Sequence, residues 1–147
     1  MMELSQRQSI EAQLSQLANR FSHAIDNGRY EEVAMLFTED GIFDRAGQLL
    51  SGRAAILDAM QHRHLYTTRH VVSTLLFARV EASEAAATMY VLNFVGQPFR
   101  GELPVLFALP EPAVLEFDDL YRRTGDEWLI ARRTARVIMK SEVAPAH

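Results

Sequence analysis

From residue 69 to residue 97 the chain reads RHVVSTLLFARVEASEAAATMYVLNFVGQ, and here the apolar pattern changes from helical spacing to strand-like alternation. That change decides the fold. His70 to Glu81 and Ala85 to Gln97 read as two long strands joined by a turn at Glu81 to Glu84. Ala113 to Arg123 and Glu127 to Lys140 repeat the pattern around Thr124-Gly125-Asp126. Strands this long, laid side by side as a meander, must twist and curl strongly.

Working back toward the N-terminus, Ile10, Leu14, Leu17, Ala18, Phe21, Ala24 and Ile25 fall on one face of a helix that Asn27-Gly28 terminates. Tyr30 to Phe37 reads as a second, short helix with Val33, Leu36 and Phe37 inward. Thr38 to Gly41 is expected to be a turn, followed by a short strand Ile42 to Asp44 that pairs with Gln48 to Leu50. Arg53 to His62 gives a third helix, and His62 to Thr68 a polar rim loop. The expected fold class is α+β, with N-terminal helices packed in the concavity of a strongly curved antiparallel sheet. Such a cone leaves a conical cavity as the ligand site. Downstream, residues 98–112 carry Pro98, Pro104, Pro110 and Pro112, too many for a ladder, and the apolar Leu103, Val105, Leu106, Phe107 and Leu109. This insertion is either a lid over the mouth or part of a dimer contact.

The whole of residues 1–147 reads as one domain, with 48% hydrophobic residues and enough length for a packed core. No cysteine is present, which excludes disulfides and thiolate chemistry. The net charge of −4 is spread among interspersed acids and bases, so neither nucleic acid nor an anionic membrane is an expected partner. A basic run at Arg122, Arg123, Arg132, Arg133 and Arg136 is offset by Asp118, Asp119, Asp126 and Glu127. No secretory-type apolar segment opens the chain and no stretch is long enough to span a bilayer, so a cytoplasmic location is the simplest expectation. His23, His62, His64 and His70 lack an accompanying carboxylate cluster, and no nucleotide or phosphate motif occurs; no metal and no cofactor are expected.

Asp26, at the end of the first helix, His70, at the start of the sheet, and Arg133, on the last strand, form the sharpest chemical set. A carboxylate beside an imidazole fixes its tautomer and stabilises its protonated form, and an arginine can hold an oxyanion. Each residue also has a plainer reading: Asp26 as a helix-end residue, His70 as a satisfied structural histidine, Arg133 as a surface strand residue whose role a bulge would hand to Arg132.

The segments Phe21 to Tyr30, Leu36 to Gly41, Gly52 to Ile56, Arg69-His70 and Trp128 to Arg133 resemble the SnoaL-like branch of the nuclear transport factor 2-like superfamily, across about residues 8–138. The resemblance implies the cystatin-like α+β cone. In scytalone dehydratase-like and bile-acid dehydratase-like members it implies catalytic roles for Asp26, His70 and Arg133, with Phe21 standing where those enzymes commonly carry a tyrosine. Tyr66 or Tyr90 would then supply a phenol. Phe21, Phe43, Tyr66, Phe77, Tyr90, Asn93 and Asp119 are the expected substrate-binding set. The activity so implied is a lyase or isomerase working by proton transfer on a small hydrophobic cyclic hydroxy-ketone. The alternative is a noncatalytic ligand-binding or assembly module similar to the small subunit of an aromatic-ring dioxygenase. A homodimer is expected from the resemblance and from the exposed sheet face of such a cone.

Overall fold

The computed structural model describes residues 1–142; positions 143–147 of the expected single domain lie outside the described residues. Helix α1 (Leu4–Asp26) buries the predicted stripe and ends as the Asn27 N–H returns to the Ala24 carbonyl and Gly28 takes φ +71°. Helix α2 (Tyr30–Met35), strands β1 (Phe37–Arg45) and β2 (Gln48–Ser51), and helix α3 (Arg53–Gln61) follow. The long strands are β3 (Tyr66–Val80), β4 (Glu84–Pro98), β5 (Ala113–Thr124) and β6 (Glu127–Met139). One six-stranded sheet results, in the order β2-β1-β6-β5-β4-β3, with α1 packed mainly on β3.

The long-strand boundaries match the alternation closely, but three details differ from the sequence reading. The sheet is not wholly antiparallel, because β1 runs parallel to β6. Tyr66 to Thr68, expected in a rim loop, begins β3. Thr38 to Gly41 is not a turn between helix and strand; it is an irregular stretch inside β1, across which the register passes from Phe37 opposite Ile130 to Ile42 opposite Arg132. Thr38 closes it by donating its hydroxyl to Asp40 at 2.9 Å. The fold is so tight there that a Cβ on Gly41 would meet the Phe37 Cβ and the Thr38 carbonyl oxygen, each at 2.8 Å. Gly41→Ala is therefore expected to destabilise the chain by about 1–3 kcal/mol, read as a lower urea midpoint with unchanged slope.

Inside the cone, Phe21 meets Phe37, Phe43 and Phe117 edge-on at 5.9–6.4 Å, and Phe37 stacks on Phe43 at 5.7 Å. The concavity at this depth is packed rather than open, which corrects the expectation of one conical cavity. Open space lies at the mouth instead. There the segment 98–112 folds back along β4, with Gln97 N–H bonded to Leu106 O and Ala108 N–H to Val95 O, covering the part of β4 beyond the reach of β5.

Candidate active site

Alternation along β3 turns Thr68 and His70 toward the concave face while Arg69 and Val71 point outward. The last residue of α1 lies over them. Asp26 accepts three hydrogen bonds from this strand: at Oδ1 from the Thr68 hydroxyl (2.8 Å) and the His70 ring Nδ1 (2.6 Å), and at Oδ2 from the His70 backbone N–H (2.8 Å). The His70 and Asp26 side chains are 8% and 5% exposed. With Nδ1–H held on the carboxylate, the neutral ring presents Nε2 as a free acceptor, and Nε2 has no partner among the described residues. Directly opposite on β4 stands Asn93, whose side-chain Oδ1 is buried without a partner. A groove of about 610 Å³ opens beside this pair, lined by Asp26, Tyr66, Thr67, Arg69, Phe99 and Leu103 among others.

Burial alone would push the Asp26 carboxyl up, but the hydrogen bond and charge of the His70 ring, its backbone N–H and the Thr68 hydroxyl outweigh that and bring it below the usual carboxylate value of 3.8. A depressed folded pKa adds stability that is fully present above the unfolded value and is lost as the pH falls through the folded one. The gap in melting temperature between the wild type and Asp26→Asn is therefore expected to be widest above pH 5 and to shrink below pH 3.8, as thermal melts across pH would show.

Arg133 occupies a different level of the cone. Its Nε and Nη2 donate to Asp119 Oδ1 and Oδ2 at 2.8 and 2.6 Å, Tyr121 donates its hydroxyl to the same carboxylate, and the guanidinium lies 4.2 and 4.7 Å from the Phe21 and Phe117 ring centres. Arg133 and Asp119 are 1% and 2% exposed. Burial together with the Asp119 charge holds the Tyr121 hydroxyl well above its ordinary value of 10.0. Arg133 and Asp119 align with Ala87 of β4, six positions from Asn93, which is about 20 Å of strand. The structure thus joins Asp26 to His70 but not to Arg133, and it settles that Arg133, not Arg132, faces inward.

Residues 6–134 match the model of the SnoaL-like domain. The chain belongs to the SnoaL-like family. Its fold is the NTF2-like, cystatin-like one. The SnoaL-like chain is 25% identical to Rv3472, a protein of unknown function from Mycobacterium tuberculosis, over 92% of this chain and 76% of that one, with a TM-score of 0.75. It is 21% identical to a candidate scytalone dehydratase from Novosphingobium aromaticivorans, covering 98% and 95% of the two chains at a TM-score of 0.80. An NTF2-like protein with a cystatin-like fold from the same organism is 22% identical over 90% and 84%, with a TM-score of 0.71. At this identity the last two show the fold alone. The comparison with curated proteins finds no match.

Of the substrate-binding set expected for this SnoaL-like chain, Tyr66 and Asn93 flank the Asp26–His70 pair, while Phe21, Phe43 and Asp119 pack the interior and Phe77 lies against the core farther along β3. Tyr90 is 46% exposed on the opposite face of β4, which corrects its placement in the pocket. The parity of β4 explains it, since Met89 and Val91 point inward and Tyr90 between them must point out. Thr68 was missed by the sequence reading, although its position two residues before His70 places it on the same strand face. Among the described residues no three His, Asp or Glu side chains converge as metal ligands, and no helix is long and apolar enough to cross a membrane.

Proposed function

We propose that this SnoaL-like chain is a cofactor-independent dehydratase or isomerase acting by proton transfer on a small hydrophobic cyclic hydroxy-ketone of polyketide or steroid type. The observation that carries this reading is the Asp26–His70 contact beside a groove, with His70 Nε2 left free. His70 Nε2 takes a proton from the carbon alpha to the carbonyl, and the imidazolium formed is stabilised by Asp26. In dehydration the adjacent C–O bond then breaks, a C=C bond forms, and the hydroxyl leaves as water with the proton His70 removed. In isomerisation the proton returns to another carbon. Asn93 Oδ1, buried without a partner, would accept the hydrogen of the substrate hydroxyl. Tyr66 in the groove wall is the phenol available where Phe21 leaves none. Arg133 has no catalytic part in this scheme, because Asp119 and two aromatic rings enclose it. The test is deuterium uptake alpha to the carbonyl in a panel of cyclic ketones in heavy water. Acceleration over buffer, lost in His70→Ala, is the expected result; a panel showing none would sink the proposal.

A second reading, a noncatalytic binding or assembly module, draws on two other observations. The cone interior is packed by side chains, and the outer sheet face exposes Leu76 (68%), Ile138 (49%) and Met139 (61%). That face is where a second copy of the chain would pack. Under this reading His70→Ala leaves assembly unchanged, and the wild type moves no protons.

A further inference from the structure

Charge neutralisation is uneven over this molecule. Most arginines away from the groove are bridged to carboxylates, as Arg79 is to Glu81 and Glu84 and Arg136 to Glu116 and Asp118, with Arg53 and Arg132 the exceptions among the described residues. Around the groove mouth, Arg45, Arg63, Arg69 and Arg100 form no ion pair among the described residues. Arg69 and Arg100 line the groove itself. The Arg63 Nε is buried without a partner, and its Nη1 reaches only the Ile25 carbonyl, at 3.5 Å, one residue before Asp26. The neighbouring His64 ring lies 5.2 Å from the ring of Tyr66 in the groove wall. These groups also feel one another: desolvation and then the Arg63 charge act against the proton of Arg45, and desolvation followed by the charges of Arg63, Arg45 and His70 holds His64 below its ordinary value.

Like charges gathered in a partly desolvated place repel, and a buried N–H with no acceptor forfeits a hydrogen bond. Both costs vanish when an anionic oxygen sits among them. The excess is local, since the chain as a whole carries −4. We infer that the groove mouth binds the anionic oxygen group, carboxylate or phosphate, of a hydrophobic ring compound, with Arg63 as the central donor, Arg45, His64, Arg69 and Arg100 around it, and the ring against Tyr66 and Phe99. Arginine suits this task because its planar fork can meet two oxygens at once. As a statement about binding the inference stands alone; only the identification of the anion as substrate rests on the proton-transfer reading.

Calorimetric titration with 2-naphthoate, 2-naphthyl phosphate and neutral 2-naphthol tests it, since the three share one ring system. At least one anion is expected to bind about tenfold or more tighter than the naphthol, a gain of the size that charge-assisted hydrogen bonds supply. That preference should shrink as salt is raised and approach parity in Arg63→Gln. The tighter of the two anions identifies the oxyacid. Should Arg63→Gln fail to fold, the double variant Arg69→Gln with Arg100→Gln, both on exposed side chains, carries the same comparison. Equal binding of naphthol and both anions overturns the inference, as does an anion preference unchanged in these variants. Ketone exchange without anion preference refutes this inference alone, and anion preference without exchange refutes the proton-transfer reading alone.

Discussion

Asp119→Ala is expected to cost about 3–5 kcal/mol of folding stability, the largest loss of any single substitution considered. The reason lies in what it leaves behind. Arg133 is fully enclosed, and its Nε and Nη2 both end on the Asp119 carboxylate. Removing that carboxylate strands a guanidinium between the Phe21 and Phe117 rings, where the cation–π contacts offset only part of its lost hydration, and takes away the acceptor of the Tyr121 hydroxyl. Burial works against the Arg133 proton while Asp119 works for it, and the net direction is upward, so the arginine keeps its charge in the folded chain. The paired change Asp119→Leu with Arg133→Met should then recover most of the loss, because it removes both charges together and fills the space with apolar atoms. Urea unfolding of both variants checks this, and a double variant as unstable as Asp119→Ala would show that the ion pair itself adds net stability.

How much of this was legible in the sequence depends on the range of the physics involved. The stripe on α1 and the alternation of β3 to β6 are periodic and local, so the elements could be read directly, although Tyr90 of β4 is expected in the pocket and stands on the opposite face. The Asp26–His70 contact was within reach because a helix end and a strand start sit at one level of the expected cone. Which of Arg132 and Arg133 faces inward stays open in the sequence, and a cross-strand arginine partner for Asp119 can be expected there without being named: Asp119 lies opposite Arg133 on β5, and only the register across the Thr124-Gly125-Asp126 hairpin decides both points. The same limit applies to β1, whose parallel ladder with β6 joins residues far apart in sequence, so Thr38 to Gly41 looked like a turn. Arg45 and Arg63 carry no sequence signal, since the lack of an ion pair shows only once the chain is folded.

Asp26→Asn should lower proton-transfer activity by about 10²- to 10⁴-fold, nearly as far as His70→Ala, although it changes a group that takes no proton from the substrate. The hydrogen-bond geometry explains why. Asp26 accepts from the His70 backbone N–H on one oxygen, and from the ring Nδ1–H and the Thr68 hydroxyl on the other. An amide has only one oxygen. If that oxygen faced the ring, its NH₂ would oppose the backbone N–H, donor against donor, with no way to relieve the clash. The amide therefore turns its oxygen to the backbone and its NH₂ to Nδ1, which Thr68 tolerates because its hydroxyl can also accept. Nδ1 then becomes an acceptor, the ring proton moves to Nε2, and the base is lost while the fold persists. Nitrogen-15 shifts of His70 should report the exchanged tautomer, and Thr68→Val, which leaves the tautomer in place, should reduce activity less than tenfold. Asp26→Asn that retained both the Nδ1–H tautomer and normal exchange rates would show that the carboxylate serves only to dock α1 on β3, and the case for proton transfer at this site would go with it.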